Sequence, residues 1–494
     1  MFESAELGHK IDKAAYEVEV PQLREDLLNA QFDLAQKAKF QVIILVGGVD
    51  GAGKGETINL LNAWMDPRHI VAHAMGEQSD EERDRPPMWR FWRALPPKGK
   101  IGVFFGSWYT SPIVQRVMGK TKASELNQSI DDINHFETML TNEGALIIKF
   151  WFHLSKEAQR NRLKSLEKDP KTRWRVTDLD WQRFKLYDKF RRVSEHALRA
   201  TSTAEAPWIV VEGVDPRYRN LTTGKILLEA LRKRLKHPAL AVPANAPPLQ
   251  APIDSLNVLD KLDMSQKIAR KKFDDELEKY QGKLNLLTRD EHFHNMSVIA
   301  LFEGSDAAGK GGAIRRITGA LDARYYRIIP VAAPTEEERA QPYLWRFWRH
   351  IPRNGRVMIF DRSWYGRVLV ERVEKFCSET DWMRAYSEIN DFEEQLIKHN
   401  TVLVKFWLTI TKEEQLRRFK ERERTGFKRF KITEEDWRNR KKWNEYETAV
   451  CDMVDRTSTE IAPWTLVEAN DKNFTRIKIL KTLCQQIEAA MKRK

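Results

Sequence analysis

Between Glu303 and Gly312 the chain reads Glu-Gly-Ser-Asp-Ala-Ala-Gly-Lys-Gly-Gly, and three of its features suit phosphate chemistry. Glycines at 304, 309 and 311 let backbone amides turn inward, a helix start adds partial positive charge, and Lys310 brings a full one. A bare glycine pattern is more often an ordinary turn. Here the apolar run Val298–Phe302 precedes it and helical spacing over Ala313–Leu321 follows, which is the strand–turn–helix setting a phosphate loop needs. The predicted phosphate-binding residues are Gly304, Ser305, Ala308, Gly309, Lys310, Gly311 and Gly312. A Ser or Thr usually follows the lysine and helps hold magnesium. Gly311 stands there instead, which makes Asp306 the replacement oxygen ligand.

A second group lies in Val357-Met-Ile-Phe-Asp-Arg-Ser-Trp-Tyr-Gly-Arg367. An apolar strand ending in Asp361 would set a magnesium-binding carboxylate beside the loop. Arg362 and Arg367 have the planar fork that neutralises phosphoryl oxygens in pairs. A third group, Arg417–Lys442, holds twelve Lys or Arg in 26 residues against five acidic ones. It reads either as a solvated helical face or as a basic lid closing over phosphates, with Arg422 and Arg424 among its cations. In Trp345-Arg-Phe-Trp-Arg349 the two tryptophans read as helix core, while the arginines could be structural or anion-binding.

These groups occur twice. Asp50 and Lys54 of Gly48-Val-Asp-Gly-Ala-Gly-Lys-Gly-Glu56 lie 256 positions before Asp306 and Lys310. Trp89–Arg93 repeats Trp345–Arg349 at the same offset, and so do Ser107-Trp-Tyr109, Lys149-Phe-Trp151, Asp180-Trp181 and Pro207-Trp208 with their later counterparts. The first copy is depleted. Phe105, Gly106 and Ser111 stand opposite Asp361, Arg362 and Arg367, and Asn161, Leu166, Phe184 and Leu186 thin the charge of the basic segment. The expectation is a first half that keeps the fold and Lys54 but is catalytically silent, and a second half that reacts.

The elements that must position these residues alternate. Apolar runs at Val42–Val46, Ile101–Phe105, Leu146–Phe150 and Trp208–Val211 are separated by helical segments, and Val298–Phe302, Val357–Phe360, Val402–Phe406 and Trp464–Val467 repeat the pattern. That predicts, in each half, a parallel sheet covered by helices on both faces. A proline-rich stretch, 237–257, divides the 494 residues into predicted domains 1–236 and 258–494, each opening on a charged helix. A net charge of +13 calls for a polyanionic partner or a merely solvated basic surface. Three widely spaced cysteines, no membrane-length apolar run and no signal-peptide layout lead us to expect a cytoplasmic protein with neither disulfides nor a membrane partner.

Gly304-Ser-Asp-Ala-Ala-Gly-Lys-Gly-Gly312, Tyr343-Leu-Trp-Arg-Phe-Trp-Arg349 and Phe360-Asp-Arg-Ser-Trp-Tyr-Gly-Arg-Val-Leu-Val-Glu-Arg-Val373 closely resemble the family-2 polyphosphate kinases, over essentially the whole chain. The tandem arrangement is similar to their two-domain subgroup. The resemblance implies an α/β fold of two tandem P-loop kinase-like domains with a basic helical lid. It also implies magnesium-dependent transfer of a terminal phosphoryl group from inorganic polyphosphate to a nucleotide, AMP giving ADP in this subgroup. Asp306, Lys310, Asp361, Arg362, Arg367 and Arg372 match the family pattern, and in the first half only Asp50, Lys54 and Arg116 do. On that basis Asp306 and Asp361 hold Mg2+, Lys310 meets the transferred group, and the three arginines clamp donor and acceptor. Polyphosphate then accounts for the net charge without nucleic acid. A polyphosphate-dependent kinase of ADP or other nucleotides, or an ATP-dependent nucleotide kinase, would share these motifs, and a homo-oligomer is left open.

Overall fold

The structure, a computed structural model, describes residues 1–237, 257–426, 430 and 432–492. The proline-rich linker lies outside the described residues except for its two ends, and so do 427–429 and 431 of the basic segment. Two compact units are present: one built on the first repeat's sheet and taking in Thr335–Trp345, the other on the second repeat's sheet and taking in Ser79–Trp89.

In the first unit the strands are β1 (Val42–Gly48), β2 (Ile70–Ala74), β3 (Ile101–Phe105), β4 (Leu146–His153) and β5 (Trp208–Glu212). In the second they are β6 (Ser297–Gly304), β7 (Tyr326–Pro330), β8 (Val357–Asp361), β9 (Thr401–Thr409) and β10 (Trp464–Glu468). The orders are β2-β3-β1-β4-β5 and β10-β9-β6-β8-β7, the same arrangement traced from opposite edges, and every pairing is parallel. The predicted strands are present, and each sheet carries one more. β2 and β7 were not predicted because they are half-exposed edge strands without a continuous apolar run, whereas the central strands are buried on both faces.

In the second unit the helices Arg270–Arg289, Lys310–Thr318 and Lys472–Lys492 close one face through Leu284, Ile314, Ile317, Leu480 and Leu483. The Glu379–Lys398 helix packs against β9, and its Phe392 meets the rings of Trp348 and Trp364 edge-on. Trp345 and Trp348 are buried, as core tryptophans should be, and Arg346 donates to Ala332 O just as Arg90 does to Gly76 O in the first unit.

One buried charge pair also repeats. Lys405 Nζ lies 2.7 Å from Glu393 and donates to Tyr365 Oη and Thr457 O, and Lys149 does the same with Glu137, Tyr109 and Thr201. Burial pushes the Glu393 carboxyl up and the Lys405 ammonium down, and each partner opposes the other's shift. Among the described residues no helix is long and apolar enough to cross a membrane.

Candidate functional site

The loop leaves β6 at Gly304, where φ is +150° and a Cβ would fall 2.5 Å from Leu408 O, so only glycine lets the chain turn there. The helix Lys310–Thr318 begins at the lysine rather than at the predicted Ala313, which puts the helix's first amides at the loop. Lys310 Nζ reaches back across the loop to Gly304 O at 2.6 Å. Asp306 Oδ2 accepts from Asn439 at 2.9 Å, its Oδ1 lies 3.8 Å from Arg362 Nη2, and Gln415 holds its backbone carbonyl.

Asp361 ends β8 in register with Phe302 of β6, so parallel pairing delivers it beside the start of the loop. Arg362 follows in a left-handed conformation, φ +66°, which is unusual for a residue with a side chain. Burial works against its charge, but the nearby carboxylates of Asp306, Glu303, Glu435 and Asp361 outweigh it and hold the guanidinium above its usual pKa. Asp306, 3.8 Å away, is its ion-pair partner. Glu303 is buried at the end of β6 and accepts 2.8 Å from Ser363 Oγ. Burial raises its pKa against the opposing pull of Ser363, Lys310 and Arg362.

Arg367 and Arg372 are placed differently. Arg367 Nε pairs with Glu371 at 2.9 Å, one helical turn on. Arg372 pairs with Asp452 at 2.7 Å, donates to Tyr386 Oη and lies 4.2 Å over the Trp382 ring. The geometry thus gathers Asp306, Lys310, Asp361 and Arg362 and seats the two other arginines in ion pairs of their own. Within the basic segment, Arg417 pairs with Glu414, Arg438 and Lys442 with Glu374, and Arg440 bonds Lys412 O. Arg422 and Arg424 close the helix Lys412–Arg424.

Four residues near the loop were not singled out from the sequence: Glu303, Glu435, Asn439 and Arg418. Arg418 clamps the loop, donating to Ala307 O, Ala308 O, Ala469 O and Asn470 O. Glu303 was legible as a departure between the repeats, since Gly47 stands opposite it. No group of three or more His, Cys, Asp or Glu able to cage a metal occurs among the described residues. Magnesium does not require one, because it is usually held by one or two carboxylates with waters and substrate phosphates. Asp306 and Asp361 fit that need.

The first unit is internally paired at the equivalent positions. Lys54 donates to Gly48 O and Val49 O, lies 3.6 Å from Asp50, and is held below its usual pKa by burial. Asp50 also faces Arg183, 3.8 Å away, where the second unit has Asn439. Gly106 keeps the left-handed turn of Arg362, at φ +69°, without a side chain.

Fold and site together define an α/β phosphotransferase-type domain in two tandem copies, one carrying the acidic and basic cluster. A family model described as "Polyphosphate kinase 2 (PPK2)" matches residues 10–239 and 267–494, and the chain belongs to that family. It is similar to the polyphosphate:AMP phosphotransferase of Pseudomonas aeruginosa, at 59% identity covering 100% of both chains. That of Acinetobacter johnsonii is 38% identical, covering 95% of this chain and 96% of its own. The crystal structure of a putative polyphosphate kinase 2 from Pseudomonas aeruginosa PA01 superposes with a TM-score of 0.92 at 56% identity over 100% of each chain.

Proposed function

We propose that this chain moves the terminal phosphoryl group of inorganic polyphosphate to AMP, giving ADP, and that the second unit performs the reaction. The substrates are supported by the full-length likeness to relatives named for that activity. The observation that carries the choice of unit is that Asp361 and Arg362, delivered beside the loop by the pairing of β8 with β6, have Phe105 and Gly106 opposite them in the first unit.

An AMP phosphate oxygen attacks the terminal phosphorus, and the bond from that phosphorus to its bridging oxygen breaks. The electron pair leaves with the polyphosphate, now one unit shorter. A phosphate oxygen is already a nucleophile, so no general base is needed, and catalysis consists of positioning and charge neutralisation. Lys310 and the inward amides of the loop hold the transferring group, and Arg362 meets charge that develops on it. Arg367 and Arg372, paired with Glu371 and Asp452 in the free chain, turn to substrate phosphates when these bind. Asp306 and Asp361 would hold magnesium, which supplies charge neutralisation at the phosphoryl oxygens. Arg422 and Arg424 belong to the lid that grips the donor.

Product analysis with polyphosphate, magnesium and each nucleoside mono- and diphosphate, without ATP, tests this reading. ADP from AMP is expected as the fastest reaction, and chelation of magnesium should stop it. Conversion of ADP to ATP well ahead of AMP to ADP would contradict the choice of acceptor.

A further inference from the structure

One charge difference between the two loops lies just past the lysine. Glu56 stands in the first turn of the helix Lys54–Trp64, where the second unit has Gly312. Guanidiniums from three other elements converge on its carboxylate. Arg162 of the helix Lys156–Lys168 reaches Oε1 at 3.4 Å, and Arg175 of the turn Arg173–Arg175 reaches the same oxygen at 3.0 Å. Arg219 of the helix Pro216–Lys236 reaches Oε2 at 3.1 Å. A glutamate in a first turn suits the helix dipole, but the dipole does not draw in arginines from elsewhere.

The arginines also cover the loop itself. A Cβ on Gly51 would fall 3.4 Å from the Arg162 side chain, and one on Gly53 only 2.0 Å from Arg219 Nη1. Arg219 is buried, which lowers its pKa; Glu56 is the foremost group opposing that shift, and Arg162 adds to it. The carboxylate therefore lets three like charges stand together on a loop of the phosphate-binding type. By sequence, the second unit keeps cations at two of these positions, as Arg418 and Lys431, and drops the acid. Space does not explain the change, because a Cβ on Gly312 would meet nothing outside its own helix closer than 3.5 Å.

We propose that the first unit's loop is an anion site filled from within: the Glu56 carboxylate sits where a phosphate would, and without it Arg162, Arg175 and Arg219 take up a phosphoanhydride anion. The proposal rests on reading the glycine-rich loop as a phosphate cradle. It goes beyond the reaction proposed above by giving the other unit's loop a resident ligand of its own. Each of these partly exposed ion pairs is individually weak. Glu56 is tethered, however, and acts at an effective concentration on the order of millimolar, so a dilute free anion does not displace it.

The test counts tripolyphosphate sites per full-length chain by isothermal titration at micromolar ligand. Wild type is compared with Glu56→Gln, which keeps the side chain's size and helix preference, and with Glu56→Gly, which copies the second unit. Far-UV circular dichroism checks the fold, and ADP formation near the wild-type rate checks the second unit. Each variant should bind one tripolyphosphate per chain more than wild type. Adding Arg162→Ala and Arg175→Ala to Glu56→Gln should remove the gained site. An unchanged count in the folded variants, or a gained site that survives loss of the two arginines, overturns the proposal. AMP is titrated in parallel, and a site gained for AMP but not for tripolyphosphate would overturn the phosphoanhydride assignment. The count needs no turnover, so a wild-type chain that makes no ADP from AMP would sink the reaction and still let the count decide the loop.

Discussion

The two units share a sheet order, a buried Lys–Glu pair and a glycine-rich loop whose lysine folds back on the first glycine's carbonyl, yet the groups around the loop aspartate differ. In the first, Lys54 is buried against carbonyls and Asp50 faces both Lys54 and Arg183. In the second, Asp306 accepts from the neutral Asn439 at 2.9 Å and lies 3.8 Å from Arg362. The first arrangement pairs its loop aspartate with a lysine and an arginine, while the second pairs it with an amide and an arginine.

The clamp on the loop makes the same point. Arg219 reaches Ala52 O and Gly213 O from the last helix of its unit, whereas Arg418 reaches Ala308 O and Ala469 O from the helix that leads into the basic segment. These are equivalent carbonyls held from different helices. In both units a glutamine of the equivalent helix, Gln159 or Gln415, also holds the loop aspartate's carbonyl, and the second unit adds Arg418 to that tie.

Strain is also distributed unequally. A left-handed residue with a side chain costs roughly 1–2 kcal/mol, and the second unit bears that cost at Arg362 where the first has Gly106. Arg362→Gly should therefore lower kcat by about a hundred- to thousandfold, as removal of a positioned charge donor does, without lowering the thermal midpoint. A variant that loses stability and activity together would mean that Arg362 is mainly structural.

Next in size is a symmetric effect. Lys405→Met and Lys149→Met each leave a buried carboxylate unpaired, and each should destabilise its unit by about 3–5 kcal/mol in denaturant titration. A large difference between the two would break the claim that the units share one scaffold. The clamp should give a smaller effect that separates the units. Arg219→Ala should cost about 2–3 kcal/mol by leaving the buried carbonyls of Ala52 and Gly213 without this donor, with turnover unchanged. Arg418→Ala should cost a similar amount and slow turnover as well, because it frees the active loop. Smallest is the lid. Replacing Arg422 and Arg424 together should raise KM for polyphosphate and flatten its salt dependence, and unchanged kinetics across a salt series would make this helix end a solvated face.

Much of this was legible in the sequence because a duplicated chain annotates itself. Lys405 and Lys149, kept in both copies, form the same buried pair in each sheet, and the losses at Phe105 and Gly106 single out the proposed site. The edge strands β2 and β7 were missed because half-exposed strands lack the apolar run that marks a buried one. The exchange of Arg418 for Arg219 could not be read from aligned positions. Arg162 stands opposite Arg418, and the replacement comes from another helix altogether. Arg372 matched by motif, but its bonds to Asp452 and Tyr386 appear only once the helices are packed.

The central claim is that one unit turns over and the other does not, and a pair of substitutions in the full chain tests it most directly. Steady-state formation of ADP from AMP and polyphosphate would be compared for Asp361→Asn and Lys54→Ala. The account predicts that Asp361→Asn loses at least about a hundredfold in kcat while Lys54→Ala stays near wild type. Activity that survives Asp361→Asn and disappears with Lys54→Ala would reverse the assignment.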